Sequence, residues 1–281
     1  MSVTLVPTTP KPTRTKRDES ASAAEAKIQS VSEVEPYLKM CLYGRNKVGK
    51  TVFACSSDLK TLIIDCNEKG FASVRKQTNT DVYELSRWED LDPIYWYLRG
   101  GKHEYKVIVI DTITMLASVG MKWVLKDDAD RDMTKDPLTP DRRSYLKLGE
   151  MLKDAIIKFR NLPYHIIFNA QEKTSTDDDE EGNTLIETHP ELSPSPRSVL
   201  LSSTNVIGRI YVRETEKEVK GVTRKIMERR MLLGTFPKYV SGNRFEELKQ
   251  IEIIPKTNAL QGFLDRIYGE KSNADTDQAD S

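Results

Sequence analysis

Short apolar runs alternate along the chain with stretches whose apolar residues recur at helical spacing, and the two periods divide it into strands and helices. YLKMCLYG, TLIIDCN, DVYELS, YKVIVIDT and YHIIFNAQ read as strands. In YKVIVIDT the residues Val107, Ile108, Val109 and Ile110 are all β-branched, as expected of a central strand buried on both faces. Helices are expected from about residue 50 to 57, in WEDLDPIYWYLRGG closed by Gly100 and Gly101, and in TITMLASVGMKWVLK. SYLKLGEMLKDAIIKFRN places Leu148, Met151, Leu152, Ala155, Ile156 and Phe159 on one helical face. A last helix lies near NALQGFLDRIYG, with Thr257 or Asn258 as its cap.

DDADRDMTKDPLTPDRR and EKTSTDDDEEGNTLIETHPELSPSPRS lack a period and carry prolines, so both are expected to be long loops. VIGRIYVRETEKEV and TRKIMERRMLLG read as an antiparallel hairpin. Alternation of strand and helix predicts an α/β fold with a mainly parallel central sheet flanked by helices, extended by this C-terminal hairpin. Residues 1–35 are rich in Pro, Thr, Ser, Ala and charge and are expected to form a disordered tail, in which Lys11, Arg14, Lys16 and Arg17 cluster. Residues 36–269 form the predicted domain, and 270–281 a second, mildly acidic disordered tail. No internal repeat is evident.

Composition narrows this picture modestly. The 281 residues include 43 Lys plus Arg and 43 Asp plus Glu, so no global positive field announces nucleic acid, and such contacts would come from local patches. Cys41, Cys55 and Cys66 lack zinc-site spacing and are odd in number, which favours a reducing compartment. No apolar run approaches the ~20 residues that span a bilayer, and MSVTLVPTTPKPTRTKR reverses the charge order of a signal peptide. A soluble, cytoplasmic protein is the expectation.

The chemistry begins at LYGRNKVGKT. Gly44, Arg45, Asn46, Lys47, Val48, Gly49, Lys50 and Thr51 have phosphate-loop spacing between a predicted strand and a predicted helix, with Val52 next. Such a loop turns backbone N–H groups around phosphates, while its Lys reaches the β and γ phosphates and its Thr hydroxyl serves Mg²⁺. Arg45 and Lys47 also read simply as a solvated loop. Asp111, ending the VIVI strand, is the expected second metal group, against the alternative of a helix-capping Asp. Motors of the broad AAA-plus class usually place Glu directly after this Asp, but here Thr112 follows. Asp65 and Glu68 end the TLIID strand, where ligand crevices of parallel sheets lie, so Glu68 is the candidate base, against a first-turn Glu favoured by a helix dipole.

A phosphate loop without an inner glycine, a carboxylate after the next strand, Thr after the metal Asp in VIVIDTITML, and Gln171 ending IIFNAQ together resemble the RecA-like ATPase core. More closely, residues 37 to 250 resemble short phage-encoded RecA-core ATP-binding proteins of single-strand annealing recombination. The resemblance implies an ATPase using ATP and Mg²⁺, in which Lys50 and Thr51 hold phosphates and metal, Asp111 the metal, Glu68 activates water and Gln171 senses the γ-phosphate. The family's second strand often ends Asp-x-Glu, whereas Asp65-Cys66-Asn67-Glu68 sets the Glu one residue later.

It also implies a homo-oligomer, ring or filament, acting on single-stranded DNA, with a single-strand binding protein as a possible partner and a bacterial host cytoplasm as location. The DNA-facing loops would be 127–143, with Arg131, Lys135, Arg142 and Arg143, and 172–197. Five adjacent carboxylates, Asp177 to Glu181, repel phosphate in the second, leaving Arg197 and other flanking cations. A cation supplied by a neighbouring subunit is expected at Arg244 in YVSGNRF, with Arg229, Arg230 and Lys238 behind it. The competing readings are an AAA-type helicase-loading motor, a P-loop kinase, and a nucleotide switch that does not hydrolyse. His103, His165 and His189 lack metal spacing, and His165 reads as a satisfied core histidine. Trp88, Tyr95, Trp96 and Tyr97 read as packing residues.

Overall fold

The computed structural model describes residues 37–178, 184–219 and 222–269, together with Ala21, Ser22, Ala24 and Glu25, which are helical, and Ile28. The expected disorder of 1–35 and 270–281 otherwise falls outside the described residues, as do Asp179, Glu180 and Glu181 of the carboxylate run.

The strands are β1 (Lys39–Gly44), β2 (Thr61–Asp65), β3 (Thr80–Glu84), β4 (Val107–Asp111), β5 (His165–Asp178), β6 (Thr184–Pro190), β7 (Val206–Val219), β8 (Val222–Leu232), β9 (Gly242–Asn243) and β10 (Ile251–Ile253). They order as β10-β8-β7-β1-β5-β4-β2-β3, with β6 on β5 and β9 on β7. From β7 across to β3 every neighbouring pair is parallel. β7 and β8 form the predicted antiparallel hairpin, in register from Arg209↔Leu232 to Val219↔Val222.

Helices α1 (Lys50–Ala54), α2 (Leu91–Arg99), α3 (Ile113–Arg131), α4 (Arg142–Arg160), α5 (Pro194–Ser203) and α6 (Ala259–Tyr268) cover the sheet. Strand alternation divides the core between its faces. Ile108 and Ile110 pack with Tyr43, Phe168 and the helices α2 to α4, whereas Val107 and Val109 pack with Leu42, Phe53 and Phe263 on the side of α1 and α6. This two-sided burial is why β4 reads as one unbroken apolar run. His165 is a satisfied core histidine, its Nδ1 accepting from Leu38 N–H at 2.9 Å.

Several sequence expectations require correction. The first helix stops at Ala54, not near residue 57, because the Ser56 hydroxyl donates to Phe53 O at 2.6 Å and draws the chain out of the helix. The same hydroxyl accepts from Leu260 N–H at 2.9 Å, capping α6 in place of the Asn258 side chain, which makes no capping bond.

Both expected long loops are shortened by regular structure, although residues 132–141 of the first carry neither helix nor strand, as expected. α3 runs on to Arg131, since Asp127 and Asp128 pair with Lys147 of α4 at 2.6 and 2.9 Å. β5 continues to Asp178 and pairs with β6 from Glu172↔Pro190 to Asp178↔Thr184. Much of this hairpin, including Leu185 and Ile186, is exposed, so no buried-face alternation marks it in the sequence. The prolines taken as loop signals start α5, where a missing N–H costs nothing. Tyr95 is buried as expected, but Trp96 and Tyr97 of the same helix are exposed.

Candidate nucleotide site

Parallel register places the predicted chemistry in one row at the carboxyl ends of the strands. Gly44 pairs with Gln171, Asp65 with Asp111, and Asp111 with Asn169. Brought to that edge, the side chains form two hydrogen-bonded sets that meet at the adjacent residues Asp111 and Thr112. Thr51 Oγ1 donates to Asp111 Oδ2 at 2.6 Å, and Asn169 Nδ2 donates to Asp111 Oδ1 at 3.0 Å. Lys50 Nζ donates to Gly44 O, Arg45 O and Gln171 Oε1 at 3.0, 3.0 and 2.9 Å. Gln171 Nε2 in turn donates to Glu68 Oε1, and Thr112 Oγ1 donates to Glu68 Oε2 at 2.7 Å.

Glu68 therefore faces Thr112 and Gln171 across the cleft and does not sit in the first turn of a helix. Thr112 also fills the capping role weighed for Asp111, its Oγ1 accepting from Met115 N–H at 3.2 Å at the start of α3. That leaves the Asp111 carboxylate to Thr51 and Asn169.

The loop is shaped by backbone conformation and close approach. Gly49 has φ 105°, a region that L side chains rarely adopt. Gly70, beyond β2, closes the far wall: a Cβ there would lie 2.6 Å from Asp111 Oδ2 and 3.1 Å from Thr51 Oγ1. Between these walls is a cavity of about 520 Å³ lined by Asn46, Lys47, Gly49, Lys50, Thr51, Val52, Glu68, Asp111 and Arg229, among others. Gly44, Arg45 and Val48 do not line it but supply carbonyls that hold Lys50 and Arg229. Arg45 and Lys47 are exposed, as their solvated reading predicts, and Arg45 pairs with Glu172 at 3.1 Å.

A family model described as an AAA domain matches residues 37–245. The chain belongs to the AAA domain family. This AAA domain thus has a P-loop ATPase-like core, and its mostly parallel sheet with flanking helices agrees with that assignment. No curated protein sequence matches it.

The site of this AAA domain fits a magnesium nucleotide. Lys50 is 6 % exposed, and burial lowers its pKa while Glu68, Asp111 and Glu172 oppose the shift. A cation so desolvated is held ready for an anion that replaces water. Asp65 and Asn169 Oδ1 are buried without standard hydrogen bonds beside Asp111. Burial pushes the Asp65 carboxyl up, opposed by the N–H groups of Lys69, Gly70 and Glu68. Among the described residues no cluster of three or more His, Cys, Asp or Glu would hold a metal. Mg²⁺ would therefore rest on Thr51, Asp111, water and phosphate oxygens, as it commonly does.

Other expected residues lie elsewhere. Arg244 follows β9, at the sheet edge opposite Gly44, where its N–H donates to Asn205 O at 3.0 Å and its Nη2 to Ser202 O at 3.4 Å. It does not reach the loop of its own chain. Arg230 pairs with Glu228 at 2.7 Å, and Lys238 is exposed. Arg229 reaches the phosphate loop of its own chain, its Nε donating to Val48 O at 2.7 Å. The cations of the first expected DNA loop are partly spent internally, Arg131 on Asp127 at 3.2 Å and Lys135 on Asp141 at 2.6 Å.

Cys41, Cys55 and Cys66 are free and buried. Burial pushes the Cys41 thiol up to about 12. Among the described residues no helix is long and apolar enough to cross a membrane.

Proposed function

We propose that the chain is a Mg²⁺-dependent ATPase with a RecA-like core, working as a homo-oligomer on single-stranded DNA in phage recombination or replication. The observation that supports it best is a pair of hydrogen-bonded sets that meet at the adjacent residues Asp111 and Thr112, one running from Asp111 to Thr51 and the other from Thr112 through Glu68 and Gln171 to Lys50. Bound ATP and Mg²⁺ supply a polarised γ-phosphoryl group. Lys50 neutralises the phosphate oxygens as it exchanges Gln171 for them, and Thr51 and Asp111 orient the metal. Glu68 holds a water near Thr112 and accepts its proton. Gln171, released from Lys50, carries the change into the β5–β6 hairpin, whose pairing starts at the next residue, Glu172.

The DNA, the annealing or strand-exchange role, the bacterial host cytoplasm and any single-strand binding partner rest on the resemblance. Lys173 and Arg197, in a neighbouring cavity that also reaches Glu68 and Gln171, add local positive charge. Hydrolysis is measured with and without single-stranded DNA for the wild type and Lys50→Ala. The expected pattern is DNA-stimulated turnover in the wild type and none in the variant, and equal rates in all four samples refute the proposal.

A second reading is a nucleotide switch that does not turn over. It is favoured by one observation: both oxygens of Glu68 already accept hydrogen bonds. Glu68→Gln separates the two. Loss of hydrolysis with retained ATP binding supports the ATPase, whereas a wild type that binds without turnover supports the switch.

A further inference from the structure

β8 carries Arg229 to the phosphate loop. Its backbone is fixed on both sides, by pairing with Val212 of β7 and by Ile254 N–H, which donates to Arg229 O at 2.9 Å. The side chain then lies along the loop, its Nε donating to Val48 O at 2.7 Å. Contact is close enough that a Cβ on Gly49 would sit 2.6 Å from Arg229 Cζ and 2.9 Å from Nη2. The same guanidinium lines the cavity that holds Lys50, Thr51 and Asp111.

The neighbouring arginines differ in how they are used. Arg230 gives Nε and Nη2 to Glu228 at 3.0 and 2.7 Å, and Arg209 gives Nε to Glu172 at 3.0 Å. Arg229 has no carboxylate partner among the described residues, and its Nη atoms make no hydrogen bond there. An arginine tethered through Nε alone keeps both terminal nitrogens, a planar pair of donors suited to two oxygens of one phosphate. A half-buried guanidinium without an anion beside it is costly unless an anion arrives. The cavity is lined by Lys47, Lys50, Lys69 and Arg229 against Glu68 and Asp111, so cations outnumber carboxylates in its wall.

We propose that Arg229 binds the phosphates of the nucleoside di- or triphosphate held in its own chain's loop, making the β7–β8 hairpin a part of the nucleotide site. The inference rests on the nucleotide reading above and adds to it a cis-acting cation, in a place where a neighbouring subunit was expected to supply one. Because the tether is Val48 of the same loop, the arginine follows its own loop and not a partner's.

The test is equilibrium binding of ADP, ATP and adenosine to the wild type, Lys50→Ala, Arg229→Gln and Arg229→Lys, with thermal melting of each nucleotide-free protein. Arg229→Gln is expected to bind ADP and ATP about tenfold more weakly, the usual worth of a hydrogen bond to a charged group. Adenosine affinity stays unchanged. Arg229→Lys keeps the charge but cannot hold Val48 and bridge a phosphate at once, so it falls between. An equimolar mixture of Arg229→Gln with Lys50→Ala is expected to stay weak, because the arginine acts within its own chain. Restored tight binding in that mixture, or ADP and ATP affinities equal to wild type in both Arg229 variants, overturns the inference. If the wild type binds no nucleotide, the nucleotide reading itself falls. If wild type binds and Lys50→Ala does not, that reading stands whatever Arg229 does.

Discussion

Lowering the pH from 7 to 5 is expected to destabilise the fold through one histidine by about 2 kcal/mol. His165, at the start of β5, is 6 % exposed, and its Nδ1 accepts the Leu38 N–H that leads into β1. Protonation would remove that acceptor and place a charge near Lys39. Burial, and secondarily Lys39, lower the His165 pKa from 6.5 to about 4. The folded state therefore resists a proton that the unfolded chain takes up. Stability from this group is complete above the unfolded value of 6.5, falls by up to ~1.4 kcal/mol per pH unit as pH drops below it, and levels off near the folded value. Integrated from pH 7 to 5, the two pKa values give the ~2 kcal/mol stated. Urea unfolding at pH 7, 6 and 5 measures it in the wild type and His165→Asn, whose amide can still accept from Leu38 but does not titrate in this range. The wild type is expected to lose ~2 kcal/mol more than the variant over the interval. Parallel pH profiles for the two proteins would refute the reasoning.

Three further outcomes follow from the site and its frame. Gly70→Ala drives a methyl against Asp111 Oδ2 and Thr51 Oγ1. It should weaken Mg²⁺–nucleotide binding at least ~tenfold and cost ~1–3 kcal/mol in stability, measured by calorimetric titration and denaturation; unchanged Mg²⁺–nucleotide affinity would count against the metal role of Thr51 and Asp111. Ser56→Ala removes the α6 cap and should cost ~1 kcal/mol in urea unfolding with nucleotide affinity retained; an unchanged midpoint would show that the cap is idle. Thr112→Val removes both the cap of α3 and the donor to Glu68, and should lower hydrolysis more than ATP binding; an equal loss of both would point to damage of the helix alone.

The site was legible to different depths. Lys50, Thr51 and Asp111 were readable because a phosphate loop and a metal strand are local patterns, each complete within about ten residues. Gln171 and Glu68 were readable only as strand ends, and their mutual hydrogen bond joins residues 103 positions apart. The contact of Arg229 with its own chain's loop was not readable, because nothing local separates it from Arg230, and only the pairing of β8 turns one toward Val48 and the other toward Glu228. Arg244, expected to act on a neighbouring subunit, follows a strand that ends at the sheet edge opposite its own chain's phosphate loop.

By itself the sequence determined the α/β class, the apolar strands of the parallel sheet and the phosphate loop, since periodicity and short motifs are set by neighbours in the chain. The tertiary structure decided what depends on distant partners. It extended α3 through ion pairs to α4 and turned an acidic, proline-bearing loop into a hairpin and a helix. It gave the α6 cap to Ser56, about 200 residues away. It also brought Glu68, Thr112 and Gln171 into one hydrogen-bonded group beside Lys50, an arrangement that register across four parallel strands creates and no local pattern encodes.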